Sequence, residues 1–155
     1  DKAIGEKVIF KQDNHSSSII GTLRGLHYQI SSASQGKLVR ATRGSIFDVF
    51  VDLRVNSATF SKWSSIELNQ NNHKQIWIPS GFAHGFLTLS KVAEVQYKAT
   101  SFWNKEFERS INYNDSRIGI EWPFEKIPKN APLLSIKDSQ APSLENAIKL
   151  GDIFE

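Results

Sequence analysis

The sequence has no cysteine and no methionine, and only four histidines. Without cysteine there is no disulfide frame, no thiolate metal site and no thiol nucleophile, so acid–base chemistry falls largely to histidine. The same absence suits a reducing cytoplasm, the expected location. Long apolar runs are also missing: none approaches the roughly 18–20 residues that span a bilayer, and no membrane partner is expected. Nor is charge of one sign concentrated. Nineteen Lys and Arg against sixteen Asp and Glu give +3, and Lys7, Lys11, Arg24, Lys37, Arg40 and Arg43 are scattered rather than gathered into a stripe. This argues against a nucleic-acid partner and suits a small anionic ligand. What remains is a chain of 155 residues, 39% hydrophobic and 11% aromatic, enough to fill one core and too short for two ordinary catalytic domains.

Period-two alternation dominates. From Leu38 to Leu53, Phe47, Val49, Val51 and Leu53 point one way and Ile46, Asp48, Phe50 and Asp52 the other, with a turn at Arg43-Gly44; this reads as a two-stranded hairpin. Further strands are expected at Ile19–Gln29, Lys62–Leu68, Gln75–Ile78, Phe82–Leu89 and Ala93–Thr100, with turns at Asn69–Asn72 and Pro79–Gly81. Short strands at near-even spacing predict an all-β sandwich or barrel. Pro123–Pro132 reads as an extended connector. Ser143, then Leu144, Glu145, Ala147, Ile148 and Leu150, then Gly151, predicts one capped short helix packed outside the sheets.

Two histidines lie in polar stretches: His73 closes Asn69–Asn72, and His15 sits in the loop-like Asp13–Ser17. His27, in Leu23-Arg24-Gly25-Leu26-His27-Tyr28-Gln29, falls by alternation on the face opposite Arg24, Leu26 and Tyr28, while His84 shares a face with Phe82 and Phe86. Each is either a bonded core histidine or part of a lined cavity. A metal-binding cupin needs a closely spaced histidine pair, yet Tyr28 follows His27 and Gln29 stands at the second position, so no metal is expected. Tyr97 shares its face with Ala93, Val95 and Ala99, as a core tyrosine or a positioned phenol. Asp138 either completes a weak capping box with Ser135 or orients a histidine. Lys37, after Gln35-Gly36, is a turn lysine or an oxyanion-stabilising cation.

The segments Gln12–Ser16, Leu23–Gln29, Gln35–Arg40, Phe47–Val49, Trp77–Phe86, Tyr97–Thr100, Gly119–Pro123 and Leu134–Asp138 occur in one order over nearly the whole chain. Together they resemble the dTDP-4-dehydrorhamnose 3,5-epimerase family of the cupin superfamily. The resemblance implies an all-β cupin-type jelly roll (double-stranded β-helix) with short C-terminal helices. It also implies a homodimer, no metal or other cofactor, and epimerisation at C3 and/or C5 of a dTDP-4-keto-6-deoxyhexose through an enolate, in dTDP-rhamnose or related deoxysugar synthesis. By the same resemblance His27 is the base, Asp138 its orienting carboxylate and Tyr97 the proton donor. Lys37 and His84 lie at the sugar, Gln12, Asp13, Asn14 and Arg24 contact nucleotide and substrate, and Glu108 and Lys137 bind further out. Where the family usually has two tyrosines this chain has Phe102 and Trp103, the latter at the position that stacks on thymine. The expected organisation is one cupin-like epimerase domain over 1–155, without the N-terminal segment the family carries. The alternatives are a non-catalytic nucleotide-sugar-binding cupin, or an epimerase of C3 only or C5 only.

Overall fold

The computed structural model describes residues 4–5 and 7–155. Its strands are β1 (Gln12–Ile19), β2 (Leu23–Gln29), β3 (Lys37–Arg43), β4 (Ser45–Asp52), β5 (Trp63–Asn69), β6 (Ile76–Ile78), β7 (Phe82–Thr88), β8 (Val92–Ala99) and β9 (Glu108–Ser110). They form a four-stranded sheet, β1-β8-β3-β6, and a five-stranded sheet, β5-β4-β7-β2-β9. Every pairing between these strands is antiparallel. Two short helices follow, α1 (Ile136–Ser139) and α2 (Leu144–Lys149).

The alternation along β4 explains how the layers stack. Ile46 and Phe50 join Val39, Leu68, Phe86 and Val95 in a core drawn from both sheets. Val49, Val51 and Leu53, on the opposite side, pack with Leu87, Ile118, Ile120, Trp122 and Leu144. The five-stranded sheet is therefore covered on both faces, by the other sheet and by the chain beyond β9. That C-terminal cover brings α1 against β2. Ser143 caps α2 by accepting the Asn146 N–H, and Ser135 caps α1 by accepting the Asp138 N–H.

Several local expectations are corrected. Residues Leu38–Leu53 are two strands but not a hairpin: β3 pairs with β6 and β8, and β4 with β5 and β7. At Gly44 the chain passes between sheets; its φ is +69°, and a Cβ there would lie 2.1 Å from the Val92 carbonyl oxygen. The polar run around His15 is strand β1, because its backbone groups pair with β8 and strand pairing needs no apolar side chains at an edge. Short β9 was not expected. Pro123–Pro132 folds into two single 3₁₀ turns, Phe124–Lys126 and Pro128–Asn130, around buried Ile127.

One irregularity shapes the interior. Arg24 pairs with Phe86 and His27 with His84, so three steps along β2 match two along β7. This bulge turns Arg24 onto the face of His27, reversing the simple alternation, while Leu26 and Tyr28 still face the outer core. It requires two backbones in close approach: Gly25 has φ +127°, and a Cβ on it would lie 2.5 Å from Gly85 Cα. Gly25→Ala should therefore lower stability by roughly 2–4 kcal/mol. Urea denaturation measures this, and an unchanged midpoint would show that the approach relaxes at little cost.

Candidate active site

Between the two sheets lies a cleft of about 320 Å³. From the five-stranded sheet, β2 contributes Arg24 and His27 and β7 contributes His84; from the four-stranded sheet, β1 contributes Asn14, β3 Lys37 and β8 Tyr97. Trp103, 54% exposed, and Glu108 also line it. The histidines and the tyrosine thus stand on opposing walls.

His27 Nε2 lies 2.5 Å from Asp138 Oδ1. The other carboxylate oxygen accepts from the Ser135 hydroxyl at 2.9 Å. Burial alone would push the Asp138 carboxyl up, but the bonds from His27 and Ser135 and the nearby Lys137 charge outweigh it and hold it below the usual carboxylate range. An ionised carboxylate only accepts, so Nε2 carries the proton and the neutral ring keeps its lone pair on Nδ1. Nδ1 makes no hydrogen bond among the described residues, and the ring lines the cleft.

A second histidine–carboxylate pair sits deeper. His84 Nε2 is 2.8 Å from Asp48 Oδ2, and both residues are buried. Lys37, 7% exposed, donates to the His27 carbonyl oxygen at 3.4 Å and lies 5.8 Å from the Tyr97 ring centroid. Burial pulls its ammonium down to about 8, against the opposing pull of Asp48 and Glu108. Tyr97 is shifted the other way: burial raises its phenol, only partly countered by Arg24. At neutral pH the cleft therefore holds a phenol that keeps its proton and an ammonium poised to lose one. The buried Nδ2 of Asn14 has no partner among the described residues, and it belongs to a side chain lining the cleft.

The structure does not bring every expected residue to the cleft wall. Asp13 alternates outward from Asn14 and pairs with Lys98 at 2.9 Å on the outer face. Gln12 is engaged with protein, donating to Asn14 Oδ1 and accepting from the Trp103 N–H. Lys137 reaches the cleft only through Glu108, 2.7 Å away; burial pushes the Glu108 carboxyl up, but Lys137 and Trp103 outweigh it and hold it low. Asp138 stands behind His27. Sequence reasoning missed Asp48 as a site residue, although its place on the Ile46–Phe50 face already marked an inward carboxylate. Among the described residues no three His, Cys, Asp or Glu side chains cluster as a metal site, and no helix is long and apolar enough to cross a membrane.

A sequence model of the dTDP-4-dehydrorhamnose 3,5-epimerase family matches residues 2–146. The chain belongs to this family. The enzyme of that name from Pseudomonas aeruginosa is 54% identical over 147 residues, covering 95% of this chain and 78% of the relative. That from Salmonella typhimurium is 51% identical over 148 residues, covering 96% and 79%. Among solved structures, a dTDP-6-deoxy-D-glucose-3,5-epimerase from Legionella pneumophila, in complex with dTDP-4-keto-L-rhamnose, superposes with a TM-score of 0.91 at 44% identity, covering 99% of this chain and 79% of that one. A 3'-monoepimerase from Streptomyces bikiniensis, in complex with dTDP-quinovose, gives 0.89 at 33% identity, covering 98% and 75%. The expected cupin-type jelly roll of this isomerase family is thus the fold observed.

The buried Lys37 has a consequence for stability. Its folded value, about 8, lies below its ordinary 10.5, so between these two the unfolded chain binds the extra proton and stability rises with pH. Below about 8 both states are protonated and the penalty of burying the charge stays constant. Lys37→Met should remove this rise, read as chemical-denaturation midpoints from pH 7 to 10.5. A variant that retained the full rise would assign it to another group.

Proposed function

We propose that this epimerase inverts C3 and/or C5 of a dTDP-4-keto-6-deoxyhexose, with His27 as base and Tyr97 as acid. The observation that carries the reading is their placement on opposing sheets, with the Nε2 of His27 engaged by Asp138 and a protonated phenol across the cleft. A ketone at C4 acidifies the hydrogens on C3 and C5. His27 Nδ1 takes one of these as a proton, and the C–H electron pair becomes the enolate double bond while the carbonyl pair moves to O4. Lys37 stabilises that oxyanion from its buried position. Tyr97 then delivers its proton to the opposite face of the carbon, the carbonyl re-forms, and the centre is inverted. Tyr97 has lost a proton and His27 gained one; exchange with solvent restores both.

The surrounding residues support the same reading. Asp138 keeps the ring in the productive tautomer and offsets the imidazolium charge as it forms. Arg24, held by the Ser18 hydroxyl at 3.0 Å, supplies a cation for the pyrophosphate. The exposed indole of Trp103 offers a face for the thymine base. Asn14 offers its unpartnered Nδ2 to the sugar. We further infer a cytoplasmic homodimer, its oligomeric state readable by sedimentation equilibrium.

In D₂O with dTDP-4-keto-6-deoxyglucose, proton NMR should show deuterium entering at each inverted carbon. His27→Ala or Asp138→Asn should slow that uptake by about 10²- to 10⁴-fold, the usual range for a lost acid–base group. Normal uptake in both variants would refute the assignment, and dTDP binding without any exchange in the unaltered protein would leave only a binding module. Uptake at one carbon alone would define a monoepimerase. Because Lys37 loses its charge near pH 8, exchange should fall as pH rises through that value. A rate flat to pH 10 would remove Lys37 from oxyanion stabilisation.

A further inference from the structure

Trp103 is more than half exposed, yet the backbone that carries it is tied down on both sides. The peptide preceding Trp103 has its carbonyl oxygen, on Phe102, accepting from Gln29 Nε2 at 3.1 Å, and its N–H donating to Gln12 Oε1 at 2.7 Å. The next peptide donates its N–H, on Asn104, to Gln29 Oε1 at 2.6 Å. Gln29 Nε2 also donates to the Ala33 carbonyl oxygen at 2.7 Å. Gln29 is 3% exposed and belongs to β2 of the five-stranded sheet, whereas Gln12 belongs to β1 of the four-stranded sheet. One side chain from each sheet therefore grips the loop, which spans the two walls of the cleft. A glutamine is well matched to this task, since its amide presents a donor and an acceptor together and can pair with a chain segment as another strand would.

From this geometry we infer that Gln29, assisted by Gln12, is a positioning residue that fixes Trp103 as a preformed wall for the nucleotide base. The inference rests on the reading of Trp103 as the base-stacking group given above. Neither glutamine acts on the reacting carbons: the amide of Gln29 is occupied by backbone groups, and that of Gln12 by Asn14 and Trp103. Their contribution is to order the loop before the ligand arrives, so that binding does not bear the cost of ordering it. Affinity should depend on them and the chemical step should not.

The test uses dTDP, titrated by calorimetry and by quenching of tryptophan fluorescence, together with the deuterium-exchange assay. Gln29→Leu and Gln12→Ala should each weaken dTDP binding about 3- to 10-fold, the order expected for freeing one immobilised segment. KM should rise in parallel and kcat stay within about twofold. Gln29→Glu should bind worse still, because its carboxylate would face the Ala33 and Phe102 carbonyl oxygens. Gln12, on a partly exposed edge strand, keeps the test open if the Gln29 variants fail to fold. In a Trp103→Ala background Gln12→Ala should cost no further dTDP affinity, since the Asn14 amide that Gln12 also holds is assigned to the sugar, which dTDP lacks. If Trp103→Ala leaves dTDP affinity unchanged, the stacking role fails. If it weakens binding while the Gln12 variant and the folded Gln29 variants do not, or if these lower kcat as much as they raise KM, the positioning role fails.

Discussion

Where β2 crosses β7, the backbone at Gly25 comes so close to Gly85 that neither position has room for a Cβ. The extra step this bulge places in β2 puts Arg24 and His27 on one face, and His27 directly opposite His84. A regular strand would have aimed Arg24 at the outer core, among Leu26, Tyr28 and Ile111, where an unpaired guanidinium is not tolerated. Arg24, His27 and His84, which all line the cleft, therefore share one packing constraint. The same strand meets α1, so Asp138 reaches His27 from a segment 111 residues later in the chain.

Electrostatics inside the cleft follow from burial. Lys37, His84 and Asp48 are nearly removed from water. Desolvation works against both signs of charge. Carboxylates counter it by pairing: Asp138 and Glu108 are each held low by basic partners. Lys37 has no carboxylate in direct contact among the described residues and retains the shift that desolvation imposes. An ammonium in that state is well placed to respond to a new negative charge on a neighbouring oxygen, which is what an enolate provides. Tyr97, on the same sheet, keeps its proton for the same physical reason, burial, because its neutral form is the protonated one.

Much of this was legible in the residues. Period two located most strands and sorted β4 into its two faces, and the serine cap of α2 was legible, whereas that of α1 was one of two open readings of Ser135 and Asp138. The site motifs pointed to His27, His84, Tyr97, Lys37 and Asp138. What alternation could not show was where it breaks. The bulge moved Arg24, and the passage at Gly44 separated two strands that read as a hairpin, because a turn in sequence does not reveal which sheet the chain enters next. The family resemblance grouped Asp13 with the ligand contacts, but strand geometry turns it away from Asn14 and pairs it with Lys98.

By itself the sequence determined the fold class, the family and the chemical types available: no thiol, few histidines, and a phenol on an inward face. These are properties of residue identity and local periodicity, which the chain carries however it folds. The tertiary structure decided pairing. It set which histidine nitrogen a carboxylate engages, that His27 and Tyr97 stand on opposing sheets, and that Gln29, which stands where a metal-binding cupin would have a histidine, grips the loop of Trp103. Such relations link residues far apart in sequence through hydrogen bonds about 3 Å long, and distances of that kind exist only once both sheets have closed on a common core.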